Sequence, residues 1–290
     1  MRTKQPLIPL IFLFLLIVAI FGLDIPEFIP GTTPAAPVSV HVIDVGQGDS
    51  ILVLAGDSSL LIDGGNRGDS DLILDYIRSQ GVTGLDVVIA THPHADHIGG
   101  VVDIIKDFPV DKIYMPKVVH TSKTYEDLLA NIKNAGLKVT AAQSGLAVDL
   151  GPDLEAEFLS PAGSSYESLN NYSAVLKLIH QENAFLFTGD AELEAEEEML
   201  ASGANLSSAV LKVGHHGSNT STSPAFLEAV KPEIAVISVG EGNSYGHPHA
   251  EVLARLQEAG IRIFRTDLHG TVVITSDGYE VDVVTEKSGS

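Results

Sequence analysis

The chain opens with a long apolar segment that carries positive charge in front of it. Arg2 and Lys4 precede 17 residues, Leu7 to Leu23, that include no charged side chain. This length is at the lower limit for a membrane-spanning helix, and the preceding charge is typical of an N-terminus that stays inside the cell. We therefore expect an N-terminal apolar helix in residues 1–23, acting as a signal anchor or, alternatively, as a cleaved signal peptide. Residues 24–37 are rich in proline and predict a linker.

The rest of the first half mixes alternating apolar segments with segments of helical spacing. Alternation in "VSVHVIDV" predicts a strand, and "SILVLAG" with "SSLLIDGG" predicts a hairpin that turns near Gly56–Ser58. Helical spacing runs through "DSDLILDYIRSQG" and "TSKTYEDLLANIKNAG", which end at Gly81 and Gly136. Between them, "LDVVIATH" predicts a buried strand that leads into "THPHADHIGG", and "IGGVVDIIKDF" predicts a short helix.

The second half has the same mixed pattern without repeating the sequence. Strands are predicted in "LEAEFLSP", "SAVLKLIH", "NAFLFTGD", "SSAVLKVGHHGS", "PEIAVISVG" and "IRIFRTD". Helices are predicted at about Ser223–Val230 and His249–Ala259, and "AELEAEEEML" predicts a solvated acidic helix. "GTVVITSDGYEVDVV" predicts a closing hairpin. Two sheets with helices outside would bury this mixture. Because no linker interrupts it, we interpret residues 38–285 as one α/β domain and residues 286–290 as a tail.

Composition narrows the possible chemistry. The 290 residues include no Cys, so disulfides and thiolate ligands are excluded. A metal site must then use imidazole and carboxylate groups, which suit zinc, manganese or iron. Lys and Arg total 17 against 38 Asp and Glu, a net charge of −21. A nucleic-acid binder usually has a basic surface, so this charge argues against a tight grip on DNA.

The segment "THPHADHIGG" concentrates candidate metal ligands directly after a buried strand. His92 and His94 are two residues apart, so in extended geometry both rings point the same way. Asp96 and His97 are adjacent and turn toward a second position as a helix begins. One segment therefore supplies ligands for two metal ions, which lie about 3.5–4 Å apart in two-metal hydrolases.

The H-x-H-x-D-H motif resembles the signature of the metallo-β-lactamase superfamily. That resemblance implies a four-layer αββα sandwich with the metals at the sheet edges, preceded here by the apolar helix. Further motifs resemble the soluble hydrolase domain of ComEC-type DNA-uptake proteins and occur in the same order. They are "HVIDVGQGDSILV", "LLIDGGN", "LNNYSAVLKL", "FLFTGDAE", "LKVGHHGSNTSTS", "NSYGHPH" and "FRTDLHGTVVI".

The resemblance implies roles for the residues that match its motifs. His92 and His94 match ligands of a first metal, and Asp96 and His97 match ligands of a second. Asp190 of "FTGD" matches the carboxylate that bridges both metals. Asp96 and Asp190 are also the carboxylates expected to orient the attacking water and accept its proton.

Residues around these ligands are expected to complete the site. His216 of "VGHHGS" matches the remaining second-metal ligand, and His215 is the alternative. Asp63 of "LIDGG" is expected to support a ligand imidazole from behind, with a role as a turn residue as the alternative. His247 is expected near the substrate phosphate or as a loop residue, and Ser218 is expected to supply a hydrogen bond.

One departure from the superfamily pattern leaves the number of metals open. Many members have a further histidine before the bridging aspartate, but here "SLNNYSAVL" places Asn170 and Asn171 in that region. Asn171 is a candidate for contacts beside the site, and His180 alternates with apolar residues as a structural residue would. We expect one or two divalent ions, zinc or manganese. Three histidines without sequence partners are also interpreted as structural: His41, His120 and His269.

The resemblance predicts a metal-dependent hydrolase in which a metal-activated water attacks a phosphodiester, with DNA as the leading substrate. The alternatives are hydrolysis of a small ester (a phosphocholine ester, a lactone or a β-lactam) and a non-catalytic accessory role in DNA uptake. The N-terminal segment predicts contact with the membrane and an extracytoplasmic location, either membrane-anchored or secreted. Because one apolar segment cannot form a channel, a channel-forming competence protein is the expected partner.

Overall fold

Two β-sheets lie at the centre of the fold in this computed structural model, which describes residues 37–289. The strands of the eight-stranded sheet are β1 (Val38–Val42), β2 (Ile51–Ala55), β3 (Ser58–Ile62), β4 (Leu85–Ile89), β5 (Val110–Pro116), β6 (Val139–Ala142), β13 (Val272–Ser276) and β14 (Val281–Thr285). The strands of the six-stranded sheet are β7 (Glu155–Ser160), β8 (Val175–His180), β9 (Asn183–Phe187), β10 (Val210–Lys212), β11 (Ile234–Ile237) and β12 (Arg262–Arg265).

Helices connect many of these strands. They are α1 (Ser70–Ser79), α2 (Ala95–Ile98), α3 (Val101–Asp107), α4 (Lys123–Asn134), α5 (Leu193–Ser202), α6 (Pro224–Val230), α7 (Ala250–Glu258) and α8 (Thr266–His269). Of two 3-10 turns, one (Leu169–Tyr172) lies between β7 and β8, and the other (Gly214–Gly217) lies between β10 and α6. The hydroxyl of Ser122 caps α4 by accepting a hydrogen bond from the N–H of Tyr125, as the run of Ser and Thr before this helix predicts.

The strand order brings several strand ends to one edge of the larger sheet. Its order is β14-β13-β1-β2-β3-β4-β5-β6, and β3 to β6 are mutually parallel. Strand β1 runs the same way as β3, because each is antiparallel to β2. In the smaller sheet, β9 to β12 are parallel. The carboxyl ends of such strands are where ligand sites form in α/β proteins.

Three apolar clusters show how the elements stack. One cluster fills the space between the sheets and includes Phe158 and Phe185, both fully buried. A second lies between the larger sheet and α1 to α4, with Leu128 at its centre. A third lies between the smaller sheet and α5 to α7, with Phe226 among its members. The layers are therefore helices, sheet, sheet and helices, as the resemblance implies.

Three local expectations differ from the structure. The helix after the histidine motif is divided into α2 and α3 at Gly99–Gly100, where loop backbone packs too closely for any side chain. The strand expected in "SSAVLKVGHHGS" is limited to β10. The acidic helix α5 is not solvated on every side, because Glu196 is buried. Its carboxylate accepts hydrogen bonds from the N–H groups of Thr222 and Ser223 at the start of α6.

The predicted apolar helix in residues 1–23 and nearly all of the predicted linker lie outside the described residues. Within residues 37–289, none of the helices combines the length and the apolar character that a membrane crossing needs. The first described strand begins at Val38, and the last ends at Thr285.

Candidate metal centre

The candidate site is assembled from loops that follow the carboxyl ends of parallel strands. Strand β4 leads to Thr91–His97, β9 leads to Asp190, and β10 leads to His216. The loops after β1 and β3 bring Asp49 and Asp63 to the same place. Sheet topology thus collects acids and histidines that are far apart in the sequence.

His97 is oriented by a carboxylate behind it. Asp63 is fully buried and accepts hydrogen bonds from the N–H of Thr91 at 2.8 Å and from the Thr91 hydroxyl at 2.6 Å. Its Oδ2 atom also lies 2.7 Å from Nδ1 of His97. This contact leaves Nε2 of His97 facing Asp190 Oδ2 at 3.2 Å. Asp63 is therefore placed to fix the His97 ring and direct one nitrogen inward, while its support of a ligand imidazole stays a prediction.

Glycines allow this support to approach so closely. The N–H of Gly64 donates to the carbonyl of His97 at 2.7 Å, and the N–H of Gly100 donates to the carbonyl of Gly64 at 3.1 Å. A Cβ atom on Gly100 would lie 2.1 Å from that same carbonyl oxygen. The two glycines after the histidine motif therefore serve the packing of the Asp63 loop against α2.

His216 is the second imidazole held with one nitrogen directed inward. Its Nδ1 donates to the carbonyl of Ser238 at 2.9 Å, and its Nε2 lies 3.5 Å from both Asp96 Oδ2 and Asp190 Oδ2. It is 1% exposed and has φ +54 in the tight turn after β10. His215 is less buried: its side chain is 23% exposed, Nδ1 lies 3.3 Å from Glu192 Oε1, and Nε2 lies 3.8 Å from Asp190 Oδ2. The structure thus brings His216 into the cluster, while its ligation stays a prediction.

Asp190 is the carboxylate on which the imidazoles converge. Its Oδ2 lies 3.2 Å from His97, 3.5 Å from His216 and 3.7 Å from His92, measured to Nε2 in each case. Its backbone N–H donates to the hydroxyl of Ser173 at 3.0 Å. Burial alone would raise the pKa of Asp190, but the neighbouring imidazoles, led by His216, hold it well below its usual range. The carboxylate is therefore ionised at neutral pH.

The imidazoles divide into two electrostatic classes. Burial lowers the pKa of His92 and of His94, so both are neutral at pH 7. Burial acts in the same direction on His97 and His216, but nearby carboxylates, led by Asp190, outweigh it. They raise the pKa of His97 well above its usual range and that of His216 to about 9. In the metal-free chain the latter two rings carry protons, which a metal ion bound through them would have to displace.

Several buried polar atoms of the cluster have no hydrogen-bond partner. They are Nε2 of His97, Nε2 of His216, Oδ1 of Asp190 and Oδ1 of Asp49. Leaving a buried polar atom unsatisfied costs about 1–3 kcal/mol, so their concentration in one place needs a reason. These atoms are imidazole and carboxylate donors of the kind that bind zinc or manganese. The residues present fit a divalent cation.

Among residues 37–289, three overlapping groups bring ligand atoms within 4.8 Å of one another. They are His92–His97–Asp190, Asp96–His97–His216 and Asp49–Asp63–His97. His97 belongs to all three. His94 belongs to none, although its Nδ1 lies 3.0 Å from Nε2 of His92. The three groups therefore meet at His97.

The other predicted residues lie at different distances from this centre. The side-chain Oδ1 atom of Asn171 accepts a hydrogen bond from the N–H of Glu192 at 3.0 Å, near the start of α5. The side-chain amide of Asn171 therefore faces that helix rather than the ligand cluster. The Ser218 hydroxyl lies 3.0 Å from that of Thr220 and does not contact the cluster. Both expectations of contacts at the site find no support in these positions.

His247 lies at the mouth of the cluster. Its ring centroid is 5.4 Å from that of His215 and 6.4 Å from that of His216. Burial, together with these imidazoles, lowers the pKa of His247 to about 4, so the ring is neutral at pH 7. Its Nδ1 is buried without a hydrogen-bond partner. A neutral ring here can accept or donate a hydrogen bond to a group that enters the site.

Sequence reasoning missed an ion pair at the floor of the cluster. Lys212 is 2% exposed, and its Nζ lies 2.5 Å from Asp49 Oδ2, 3.0 Å from the carbonyl of Gly189 and 4.0 Å from Asp190 Oδ1. Burial would raise the pKa of Asp49, but Lys212 and two imidazoles pull it below its usual value. The available signal was a lysine inside the otherwise apolar segment "AVLKVG".

Comparison with known proteins identifies the family. Residues 43–241 match the family model of the metallo-beta-lactamase superfamily. The chain belongs to this superfamily. A solved superfamily fold, the metallo-beta-lactamase fold protein YhfI from Bacillus subtilis, aligns with a TM-score of 0.55 and 14% identity over 83% of this chain and 100% of that one. This likeness concerns the fold alone.

Curated relatives of this superfamily member include one that is named for competence. The chain is 34% identical to ComE operon protein 3 of Bacillus subtilis (strain 168), over 80% of this chain and 32% of that protein. It is 36% identical to competence protein ComA of Neisseria gonorrhoeae, over 84% of this chain and 33% of that protein. The resemblance drawn from the motifs is thus confirmed. The chain spans about a third of the length of these relatives.

Proposed function

We propose that this superfamily member is a metal-dependent phosphodiesterase that cleaves DNA. One observation carries the proposal: Asp190 Oδ2 lies within 3.7 Å of three imidazole nitrogens, two of them without hydrogen-bond partners. The similarity to a protein named for competence supports DNA as the substrate. The net charge of −21 makes tight non-specific binding unfavourable, so we propose that phosphate is attracted locally, at the centre itself.

In this proposal the chain holds one or two divalent ions, zinc or manganese, through His92, His94, Asp96, His97, Asp190 and His216. A divalent ion supplies a Lewis acid for a phosphoryl oxygen and acidifies water at neutral pH. Asp63 fixes the His97 ring so that only Nε2 faces the site. Asp96, which is partly exposed on the open side, orients the attacking water and accepts its proton.

His247 completes the proposed site on the substrate side. Because its ring is neutral and borders the cluster, it can donate a hydrogen bond to a phosphate oxygen or to the leaving group. Water is excluded from the floor of the site, where Lys212 and Asp49 are buried. We also propose an extracytoplasmic location, membrane-anchored or secreted, in which this domain acts beside a channel-forming competence protein.

The test is hydrolysis by purified protein loaded with manganese or with zinc. We expect cleavage of bis-p-nitrophenyl phosphate and of a labelled single-stranded oligonucleotide, both abolished by chelator and by Asp96→Ala. Asp75→Ala is the matched control, since Asp75 is an exposed acid on α1 and should leave the rates unchanged. Activity on lactones or β-lactams with none on phosphodiesters would overturn the proposal. Unchanged activity in Asp96→Ala would contradict the role of that carboxylate.

A further inference from the structure

A large cavity on the described residues lies beside the candidate metal centre. Its volume is about 900 Å³, within the range of about 300–1,000 Å³ that is usual for ligand pockets. It opens where β5 and β6 end, and Pro116, Ala142 and Tyr172 lie in its wall. The carboxyl ends of β5 and β6 lie at the same edge of the sheet as the carboxyl end of β4, which the histidine motif follows. The cavity is therefore next to the site in the topology.

Two local contacts connect the cavity wall with the metal centre. Tyr172 in the wall is followed by Ser173, whose hydroxyl accepts from the N–H of Asp190 at 3.0 Å and lies 3.5 Å from Nδ1 of His92. On the other side, the loop after β5 lines the cavity through Val119 and continues to His120, which lies close enough to His94 to lower its pKa. A ligand bound at the metals can therefore extend into this cavity.

The lining of this cavity is unusual for so acidic a chain. No Asp or Glu lines it, and Lys117 is its one charged residue. Lys117 takes part in none of the salt bridges among residues 37–289, so its charge is available to a ligand. Each of the four other recorded cavities is lined by at least two carboxylates. An anionic ligand is thus favoured in this cavity over those.

The apolar part of the lining indicates what else the ligand contains. Val119 is 89% exposed, Val139 is 42% exposed and Leu129 is 41% exposed, which are high values for aliphatic side chains that share one depression. The ring of Tyr172 stands beside them. A flat apolar group would cover these side chains while its anionic group meets Lys117. A nucleobase presents such faces only when it is unstacked from its neighbours.

We propose that this cavity binds an unpaired nucleotide next to the phosphodiester bond that is cleaved. The base lies against Val119, Leu129 and Val139, and the flanking phosphate meets the Nζ atom of Lys117. The inference rests on the proposed function and makes it more specific, because it assigns single-stranded nucleic acid as the substrate. It also explains how an enzyme with a net charge of −21 could bind DNA: the strand would be held in one cavity that has no acidic lining residue, rather than on a basic surface.

The test compares charge reversals at two lysines connected with β5. Lys117→Glu changes the cavity, and Lys112→Glu makes the same charge change on an exposed residue nearer the start of the strand. The two lysines are five positions apart, which in a strand spans about 16 Å, beyond the Debye length of about 8 Å at physiological salt. We expect Lys117→Glu to raise the KM for a single-stranded oligonucleotide about tenfold and Lys112→Glu to change it less than twofold. Thermal unfolding of both variants checks that they are folded.

A second readout does not depend on catalysis. An oligonucleotide containing 4-thiothymidine is photo-crosslinked to chelator-treated protein, and the attachment site is mapped by mass spectrometry. We expect attachment within residues 118–123, which include Val119, and its loss in Val119→Asp. Attachment elsewhere, together with equal KM values for the two lysine variants, overturns the inference.

The two proposals fail in distinguishable ways. If the protein cleaves bis-p-nitrophenyl phosphate and the oligonucleotide but Lys117→Glu behaves like Lys112→Glu, the phosphodiesterase stands and the nucleotide cavity is wrong. If no phosphodiester is cleaved while the crosslink maps to Val119, the cavity stands and the catalytic proposal is wrong. A preference for double-stranded over single-stranded DNA in KM would also overturn the cavity as described.

Discussion

Replacing Lys212 by Met removes a buried cation at the floor of the candidate metal centre. The substitution keeps a linear side chain of similar length, so packing in β10 is largely retained. The ammonium group that is lost lies 2.5 Å from Asp49 Oδ2 and 3.0 Å from the carbonyl of Gly189. Both partners are left in a region where Asp49 is 1% exposed. The variant thus creates a buried carboxylate without its cation.

The structure fixes the expected magnitude. Removing one partner of a buried ion pair costs about 3–5 kcal/mol, because the remaining charge has lost its solvent and its partner. Lys177→Met is the matched control, since Lys177 is also buried but donates to the carbonyl of Asn205 and forms no salt bridge among the described residues. Loss of such a hydrogen bond costs about 0.5–1.5 kcal/mol. We expect the first variant to lose at least twice as much unfolding free energy as the second.

Urea unfolding of chelator-treated protein at pH 7 measures both values. The double variant Lys212→Met with Asp49→Asn should recover part of the loss, because the unpaired carboxylate is gone, and the difference from additivity gives the coupling between the two side chains. Equal losses in Lys212→Met and Lys177→Met would refute the assignment of Lys212 as the counter-charge of Asp49. Simple additivity in the double variant would refute it as well.

Three further predictions concern the residues around the metal ligands. The pKa of His216 is raised to about 9, so its contribution to stability is complete below about pH 6.5 and is lost as the pH rises through 9. The Tm of chelator-treated protein should therefore decrease as the pH is raised from about 6.5 to about 9. A Tm that stays constant or rises over this range would contradict the prediction. Asp63→Asn should weaken metal binding about 10–100-fold, because it frees the His97 ring. Competition with a chromophoric chelator measures the affinity, and an unchanged affinity would show that Asp63 does not support the His97 ring. Burial raises the pKa of Glu192, but hydrogen bonds led by that from His215 lower it to about 2. The stabilising effect of the Glu192 carboxylate is therefore present above about pH 4.3 and lost as the pH falls through 2. In urea titrations, Glu192→Gln should reduce the unfolding free energy more at pH 6 than at pH 3. An equal reduction at the two pH values would argue against this stabilising effect.

The sequence predicted the elements whose pattern is local. The hairpin of β2 and β3 follows from alternation and a glycine turn, and the direction of β4 into "THPHADHIGG" follows from a run of buried residues before polar ones. Strand β6 was not predicted, because Val139, Thr140 and Ala141 are all exposed and give no alternation. Its place in the sheet comes from pairing with β5, which no local pattern encodes.

The same distinction applies to the site. The histidine motif and Asp190 could be predicted, because each stands at the end of an apolar strand. The burial of Lys212 and Glu196 was missed, because a charged residue is expected at the surface unless its partner is known. Their partners are far away: Asp49 precedes Lys212 by more than 160 residues, and Thr222 follows Glu196 by 26. Only the assembled sheets bring such pairs together.

The charge balance of the centre shows what Lys212 contributes once a metal is bound. In the metal-free chain, the ionised Asp49 and Asp190 are balanced by Lys212 and by protons on His97 and His216. A divalent ion held by these two imidazoles would displace their protons, because it would need those nitrogen lone pairs. It does not displace Lys212, which is fixed in β10 and is not a partner for a cation. One positive charge therefore stays 4.0 Å from Asp190 Oδ1. This charge reduces the negative potential that the carboxylates present to an entering ligand, so an anionic ligand is less disfavoured there than it would be without Lys212.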